Sequence, residues 1–221
     1  GRFLMKIGRY DDAVAAFGTA ARIDEKDPDI IFQRGRAHHA TRRYDAALAD
    51  YDRAIGMDEK QADYFNARAL VRIAMKDPSR AIADFSEAIR LDPEFAAARL
   101  NRADLYRQQG DQDRAIADYG SVVGVRDFAA EALQLRGRIY LDRREYDRAI
   151  ADFGAAMKAD PLKPLYPTLR AFSLMLQGNF KAALTDHHIA IALDSGDAYR
   201  YVDRKSTRLN SSHSSVSRMP S

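Results

Sequence analysis

The chain has 221 residues, of which 46% are hydrophobic and 30% are charged, and it contains no cysteine. The lack of cysteine excludes disulfides and thiolate metal sites, and it suits a reducing compartment such as the cytoplasm. The formal charge is +3, from 35 basic and 32 acidic residues. No apolar run approaches the roughly 18 residues of a transmembrane helix, so we expect no membrane partner.

A fixed period of 34 residues runs through the chain without an insertion or deletion. Its clearest marker is an alanine that recurs six times: Ala13, Ala47, Ala81, Ala115, Ala149 and Ala183. A period of this length indicates stacked copies of one small unit rather than a single globular core. We number the positions of the repeat as slots, with Pro28 in slot 1, which places this alanine in slot 20.

Each copy has the pattern of two helices. In the third copy we predict one helix over Ala62–Met75 and a second from about Pro78 to Leu91. Asp77 followed by Pro78 supplies an N-cap and a proline at the first helical position. Asp92 followed by Pro93 ends the second helix. The glycines Gly110 and Gly178 fall at the bend, where a left-handed residue is favoured.

Small residues at slots 8 and 20 predict a close approach of the two helices of a hairpin. Slot 8 is always glycine or alanine: Gly1, Gly35, Ala69, Ala103, Gly137 and Ala171. Slot 24 is aromatic except in the last copy: Phe17, Tyr51, Phe85, Tyr119, Phe153 and His187. A lone hairpin cannot bury both of its faces, so we expect stability to come from stacking on neighbours.

These residues resemble the tetratricopeptide repeat (TPR) family over about residues 1–202. The motif is carried by the run from Ala81 to Pro93 and by a second set of positions: Gly35, Tyr44-Asp45, Ala47, Tyr51 and Ala54-Ile55. The resemblance implies an all-α fold, a right-handed superhelical solenoid of antiparallel helix pairs. The chain departs from the family pattern at three positions: Pro78 in slot 17, His187 in slot 24 and Val122 in slot 27.

The period also predicts where each copy begins and ends. We expect a partial repeat at 1–27, complete repeats at 28–61, 62–95, 96–129, 130–163 and 164–197, the start of a truncated repeat at 198–202, and a non-native disordered tail at 203–221. The tail resembles the translated read-through of a sequencing adapter. It holds four basic residues and one acidic residue, which is the whole surplus of +3, so residues 1–202 are formally neutral. The basic balance therefore gives no support to nucleic-acid binding.

In TPR proteins the ligand usually lies along the concave wall formed by the first helix of each hairpin. Carried over to this chain, the resemblance implies a ligand groove with these candidates: Phe32, Arg36, His39, Asn66, Leu70, Asp104, Arg107, Gln134, Arg138, Phe172 and Met175. The arginines Arg36, Arg107 and Arg138 suit a partner with an acidic or free-carboxylate element. Phe172 and Met175 suit either a hydrophobic pocket or burial under further chain.

Two charged ladders follow the same period. Slot 7 is arginine and slot 23 is aspartate in five successive copies: Arg34, Arg68, Arg102, Arg136 and Arg170, with Asp50, Asp84, Asp118, Asp152 and Asp186. They could form an exposed charged stripe for a ligand. We favour bidentate pairs within or between hairpins, because the two ladders match in number.

No catalytic or metal motif is present. The histidine pairs His38-His39 and His187-His188 are adjacent, so on a helix their side chains diverge by about 100° and cannot share a metal ion. His187 occupies the aromatic slot, where we expect it to be buried or half-buried. We therefore predict no metal, no cofactor and no enzymatic activity.

The sequence favours a non-catalytic scaffold that binds an extended peptide or a partner helix. The alternative is the regulatory or substrate-docking arm of a larger enzyme. We expect a protein or peptide partner, no small-molecule substrate and no nucleic acid.

Replacing Ala115 by leucine tests the close approach at slot 20. The larger side chain is expected to overpack its hairpin and to lower the free energy of unfolding by roughly 1–3 kcal/mol. Thermal melting followed by circular dichroism measures the effect, and an unchanged melt would contradict the packing argument.

Overall fold

Twelve α-helices make up the regular structure of residues 1–195, and this range contains no strand. The structure is a computed structural model, and these are the residues that it describes. The predicted start of a truncated repeat at 198–202 and the predicted tail at 203–221 lie outside the described residues. The all-α prediction is confirmed.

The helices alternate between two positions of the repeat. Those at the first position are α1 (Arg2–Lys6), α3 (Pro28–Ala40), α5 (Ala62–Ala74), α7 (Ala96–Gln108), α9 (Arg126–Asp142) and α11 (Leu165–Leu176). Those at the second position are α2 (Tyr10–Ile23), α4 (Tyr44–Met57), α6 (Pro78–Leu91), α8 (Gln112–Val122), α10 (Tyr146–Ala159) and α12 (Phe180–Asp194). Short bends join the two helices of each hairpin.

The helix boundaries of the third copy agree with the prediction. α5 ends one residue before the predicted Met75, and α6 has the predicted bounds. The carboxylate of Asp77 accepts a hydrogen bond from the backbone N–H of Arg80, and Pro78 stands at the first position of the helix. The cap and the proline thus define this helix start as the sequence predicts.

The bend of every hairpin contains one residue in the left-handed conformation, at slot 15. Gly110 and Gly178 have φ values of +80° and +86°, as predicted. Three copies place a long side chain there instead, with φ near +60°: Arg42, Lys76 and Arg144. A side chain in this region costs roughly 1–2 kcal/mol relative to glycine. These three bends are therefore strained.

The described chain divides into two units, which are residues 1–118 and the residues from 119 onward. In the first unit each helix from α1 to α7 packs against the next one along the chain. In the second unit the same is true from α9 to α12. Sequential packing of this kind is typical of a stack of hairpins, in which each element contacts only its neighbours.

Aromatic rings at slot 24 lie directly against the small residue at slot 8 of their own hairpin. A Cβ atom added to Gly35 would lie 2.7 Å from Cε1 of Tyr51, and one added to Gly137 would lie 2.8 Å from Cε1 of Phe153. Both rings are fully buried. The glycines at these two positions are therefore required by the close contact of ring and backbone.

The two charged ladders form one bidentate ion pair in each of the five hairpins from α3–α4 to α11–α12. In all five copies Nε and Nη2 of the slot-7 arginine donate to the two carboxylate oxygens of slot 23, at distances between 2.5 and 3.0 Å. Every one of these aspartates is buried. The bidentate pairing that we favoured over a ligand-binding stripe is confirmed, and each pair lies within a single hairpin.

The remaining guanidinium nitrogen of the ladder arginine reaches slot 25 of the preceding hairpin. Nη1 of Arg68 donates to the carboxylate of Asp52 at 2.6 Å, and Nη1 of Arg102 donates to the hydroxyl of Ser86 at 2.9 Å. In the next two copies slot 25 holds Gly120 and Gly154, and a Cβ atom added to Gly120 would lie 3.2 Å from Nη1 of Arg136. One side chain thus joins the two helices of its own hairpin and also contacts the hairpin before it.

The repeat is irregular between α8 and α9. α8 ends at Val122, three slots before its equivalents, and α9 begins at Arg126, four slots before its equivalents. The sequence Val122-Val123-Gly124 accounts for the early end, since β-branched residues and glycine are weak helix formers. Val122 also occupies slot 27, where the repeat pattern has alanine.

His187 corrects one expectation. It lies in the aromatic slot but is exposed, whereas the five aromatic residues of that slot are buried. α12 is the last described helix, so no described element covers this face. A polar imidazole also gains little from burial without a partner.

Replacing Asp84 by alanine tests the ion-pair ladder. Asp84 accepts hydrogen bonds from both Arg68 and Arg72 and is only 3% exposed. Its loss removes the carboxylate partner of Arg72 and the bidentate partner of Arg68, so the free energy of unfolding should fall by about 3 kcal/mol in urea denaturation. The matched control is Glu87→Ala, which removes the exposed pair with Arg90 and should cost less than about 0.5 kcal/mol. Equal losses for the two variants would contradict the special role of the ladder.

The reciprocal exchange of Lys76 and Gly110 tests the strain at slot 15. Lys76→Gly should raise the free energy of unfolding by about 0.5–1 kcal/mol, because glycine relieves the left-handed strain but adds entropy to the unfolded chain. Gly110→Lys should lower the free energy of unfolding by a similar amount. Denaturation midpoints that move in the same direction for both variants would disprove the explanation.

Candidate functional site

An open groove with a volume of about 1020 Å³ crosses three consecutive hairpins of the first unit. Its walls come mainly from α1, α3 and α5, which are the first helices of those hairpins. The second helices contribute Tyr10 at the start of α2 and Tyr51 from α4. The repeat places equivalent slots of successive hairpins side by side, and the groove follows from this arrangement.

The floor of the groove is aromatic. The ring of Phe32 lies 4.5 Å from the ring of Tyr64 and 5.6 Å from the ring of Tyr51, measured between centroids. All three rings are buried, and the half-buried Leu70 lies in the same groove. Offset, tilted rings at these distances attract one another beyond their buried area. The floor is therefore a rigid apolar surface.

Two polar atoms of the groove residues are buried without a hydrogen-bond partner among the described residues. They are the hydroxyl of Tyr51 and Oδ1 of Asn66. A buried polar group without a partner costs about 1–3 kcal/mol, so such atoms are rare in folded proteins. Their presence in one groove is the feature that most suggests a binding site.

Burial keeps the hydroxyls of Tyr51 and Tyr64 protonated. It raises the pKa of Tyr64 to about 12, with a further contribution from nearby aspartates. It also raises the pKa of Tyr51 well above its ordinary value, although the charge of Arg36 opposes the shift. At neutral pH the hydroxyl of Tyr51 is thus able to donate a hydrogen bond.

Charges of opposite sign lie at different ends of the helices that line the groove. Asp29 and Asp63 stand in the first turns of α3 and α5, whereas Lys6 and Arg36 lie further along α1 and α3. The side chain of Arg2 forms an ion pair with Asp29. Arg2, which also lines the groove, thus partly neutralises its acidic side.

The two histidines of α3 have different surroundings. Burial lowers the pKa of His39, which lines the groove, so its imidazole is neutral at neutral pH. Burial also lowers the pKa of His38, whose Nε2 lies 3.9 Å from the carboxylate of Asp50. His38 faces the ion-pair ladder rather than the groove. The adjacent histidines thus point to different sides of the helix.

The groove gathers five of the eleven candidate residues. These are Phe32, Arg36, His39, Asn66 and Leu70.

Two further candidates of the first unit, Asp104 and Arg107, lie on α7 and form an ion pair at 2.9 Å without lining the groove. The other four belong to the second unit. Gln134 is buried and Arg138 is exposed on α9. Phe172 and Met175 are exposed on α11.

Several groove residues were not among the candidates. Tyr51 belongs to the aromatic slot, which sequence reasoning assigns to the core, and it is both a core residue and part of the groove. Tyr64 occupies slot 3 and Lys6 occupies slot 13. The recurring slot 13, where Ala40 also lines the groove, is the signal that could have identified Lys6.

Other kinds of site were sought in the part of the chain that the structure describes. Over residues 1–195 no cluster of three or more histidine, aspartate or glutamate side chains is arranged to hold a metal ion. None of the helices in this range has both the length and the apolar character needed to cross a membrane.

Comparison with known families identifies the repeat. The model of a tetratricopeptide repeat family matches residues 1–62, 66–124 and 135–198. Comparison with curated protein sequences finds no match.

Solved structures of TPR proteins have the same fold. The C-terminal part of a TPR repeat-containing protein from Cytophaga hutchinsonii superposes with a TM-score of 0.77 at 18% identity, over 91% of this chain and 81% of that chain. YrrB, described as a TPR protein with an unusual peptide-binding site, gives a TM-score of 0.69 at 19% identity, over 85% and 98%. MamA from Desulfovibrio magneticus RS-1 gives 0.67 at 15% identity, over 76% and 96%. At these identities the likeness concerns the fold alone.

Proposed function

This chain belongs to the tetratricopeptide repeat family, and we propose that the groove of its first unit binds an extended segment of a partner protein. The chain acts in this proposal as a scaffold that binds its partner and performs no chemistry on it. The observation that carries the proposal is the pair of buried, unpartnered polar atoms on Tyr51 and Asn66. A bound segment would supply the missing partners from its own backbone or side chains.

The shape and composition of the groove support a peptide ligand. An extended peptide presents apolar side chains and backbone hydrogen-bonding groups along its length. The aromatic floor suits the apolar side chains, and the amide of Asn66 and the hydroxyl of Tyr51 suit the backbone hydrogen-bonding groups. YrrB is itself described as having a peptide-binding site. Because residues 1–202 are formally neutral, nothing in their charge balance favours nucleic acid instead.

Filling the groove with a bulky side chain tests the proposal. Ala67 lines the groove on α5, so Ala67→Trp should occlude it. Peptides are first selected from a displayed random library on the full chain, and fluorescence anisotropy then measures the affinity of one of them. We expect Ala67→Trp to weaken binding by about tenfold or more, which corresponds to about 1.4 kcal/mol.

The matched control is Ala49→Trp, at an exposed position of α4 outside the groove. It should bind the selected peptide as the unchanged chain does. Circular dichroism melts establish that both variants are folded. If the two tryptophan variants bind alike, or if no peptide is selected, the groove is not the binding site.

A further inference from the structure

We infer that the groove recognises an acidic segment, in which the carboxylate of an internal aspartate or glutamate contacts Arg36 and Lys6. The inference rests on the proposed function and specifies its ligand. Beside this carboxylate, an apolar side chain of the same segment lies on the floor formed by Phe32 and Tyr64.

The first support is the set of ion pairs in the first unit. Most of its arginines contact a carboxylate, both in the ladder and on exposed helix surfaces. Arg36 is different, since its hydrogen bond goes to the neutral amide of Gln33 at 3.2 Å and its guanidinium lies 6.0 Å from the centroid of Phe32. Among the described residues Lys6 has no ion pair with a carboxylate. The groove thus holds two cations that lack an anionic partner.

The second support is the set of hydrogen-bond donors that line the groove. Arg36, Lys6 and Tyr51 are all among its lining residues. The hydroxyl of Tyr51 is protonated at neutral pH and lacks an acceptor. A guanidinium and an ammonium offer donors only, the hydroxyl can donate one more hydrogen bond, and a carboxylate is the side chain that accepts several hydrogen bonds at once.

The third support concerns the neighbouring helix. Oδ1 of Asn66 on α5 is a buried acceptor without a donor. A backbone N–H of the same segment would satisfy it. The ligand that fits therefore offers a carboxylate toward α1 and α3 and an N–H group toward α5, as an extended acidic peptide does.

The position of Arg36 favours a carboxylate within the segment over one at its C-terminus. Arg36 belongs to the middle one of the three hairpins that line the groove. The groove continues on one side to Met5 and Tyr10 and on the other side to Asn66 and Leu70. A segment seated at Arg36 therefore has room to continue in both directions.

The same displayed library tests the inference when the peptides have no free C-terminus. We expect the selected sequences to share an aspartate or glutamate next to an aliphatic or aromatic residue. A selected peptide is then synthesised with an amidated C-terminus, together with a version in which its acidic residue becomes the corresponding amide. The amide version should bind about tenfold more weakly, and the difference should shrink at high salt.

Variants of the protein show whether Arg36 is the contact. Arg36→Gln should weaken binding of the acidic peptide about as much as replacing the acidic residue of the peptide by its amide does. Combining the two changes should lower the affinity little further than either one alone. Arg36→Glu should favour a peptide in which lysine replaces the acidic residue. The control is Arg22→Gln, an exposed arginine outside the groove whose side chain donates to the hydroxyl of Thr19, and it should leave both affinities unchanged.

The outcomes separate this inference from the proposed function. Neutral or basic peptides that Ala67→Trp still excludes would overturn the acidic ligand and leave peptide binding intact. Recognition of the carboxylate only in a peptide with a free C-terminus would also overturn it. Failure to select any peptide, or binding that ignores Ala67→Trp, would remove the proposed function and the inference with it.

Discussion

The bidentate contact between the slot-7 arginine and the slot-23 aspartate is the interaction on which the hairpin stack depends. Each aspartate is buried, so its charge is tolerated only because a guanidinium faces it with two parallel hydrogen bonds. The geometry of that fork sets the distance and rotation of one helix against the other. The third nitrogen, as in Arg68 and Arg102, then fixes the preceding hairpin to the same point. From the sequence alone the two charged ladders could form an exposed stripe. In the structure they instead connect the two helices of a hairpin, and Arg68 and Arg102 also contact the preceding hairpin.

Much of the fold could be predicted because the same sequence pattern recurs in six copies of the repeat. The bounds of α5 and α6 and the left-handed glycines at Gly110 and Gly178 all follow from caps, prolines and small residues. The strained bends at Lys76 and its equivalents have no local signal for positive φ, and only their shared slot with Gly110 and Gly178 indicates the left-handed conformation. The early end of α8 was equally hidden, because it depends on how a few weak helix formers compete with the packing of the repeat.

The site was less accessible to sequence reasoning than the fold. The slots that the family resemblance assigns to the ligand wall include Phe32, Arg36 and Asn66, and these three line the groove because equivalent slots of neighbouring first helices face the same side. Sequence reasoning missed Tyr51, since a residue assigned to the core by its period was not considered as a ligand contact. It also gave no indication that the hydroxyl of Tyr51 and the amide oxygen of Asn66 lack partners, which depends on the side chains that surround them in three dimensions.

The residue at slot 25 determines how strongly neighbouring hairpins are coupled. Asp52 and Ser86 tie their hairpins to the arginine of the next copy, whereas Gly120 and Gly154 offer that arginine no side chain. Cooperativity in a repeat protein depends on the strength of such nearest-neighbour couplings. Junctions with an acceptor should open together during hydrogen exchange, and those with glycine should open more independently. Substitutions at this one position can thus change how far local unfolding spreads to neighbouring hairpins, without altering the core of any hairpin.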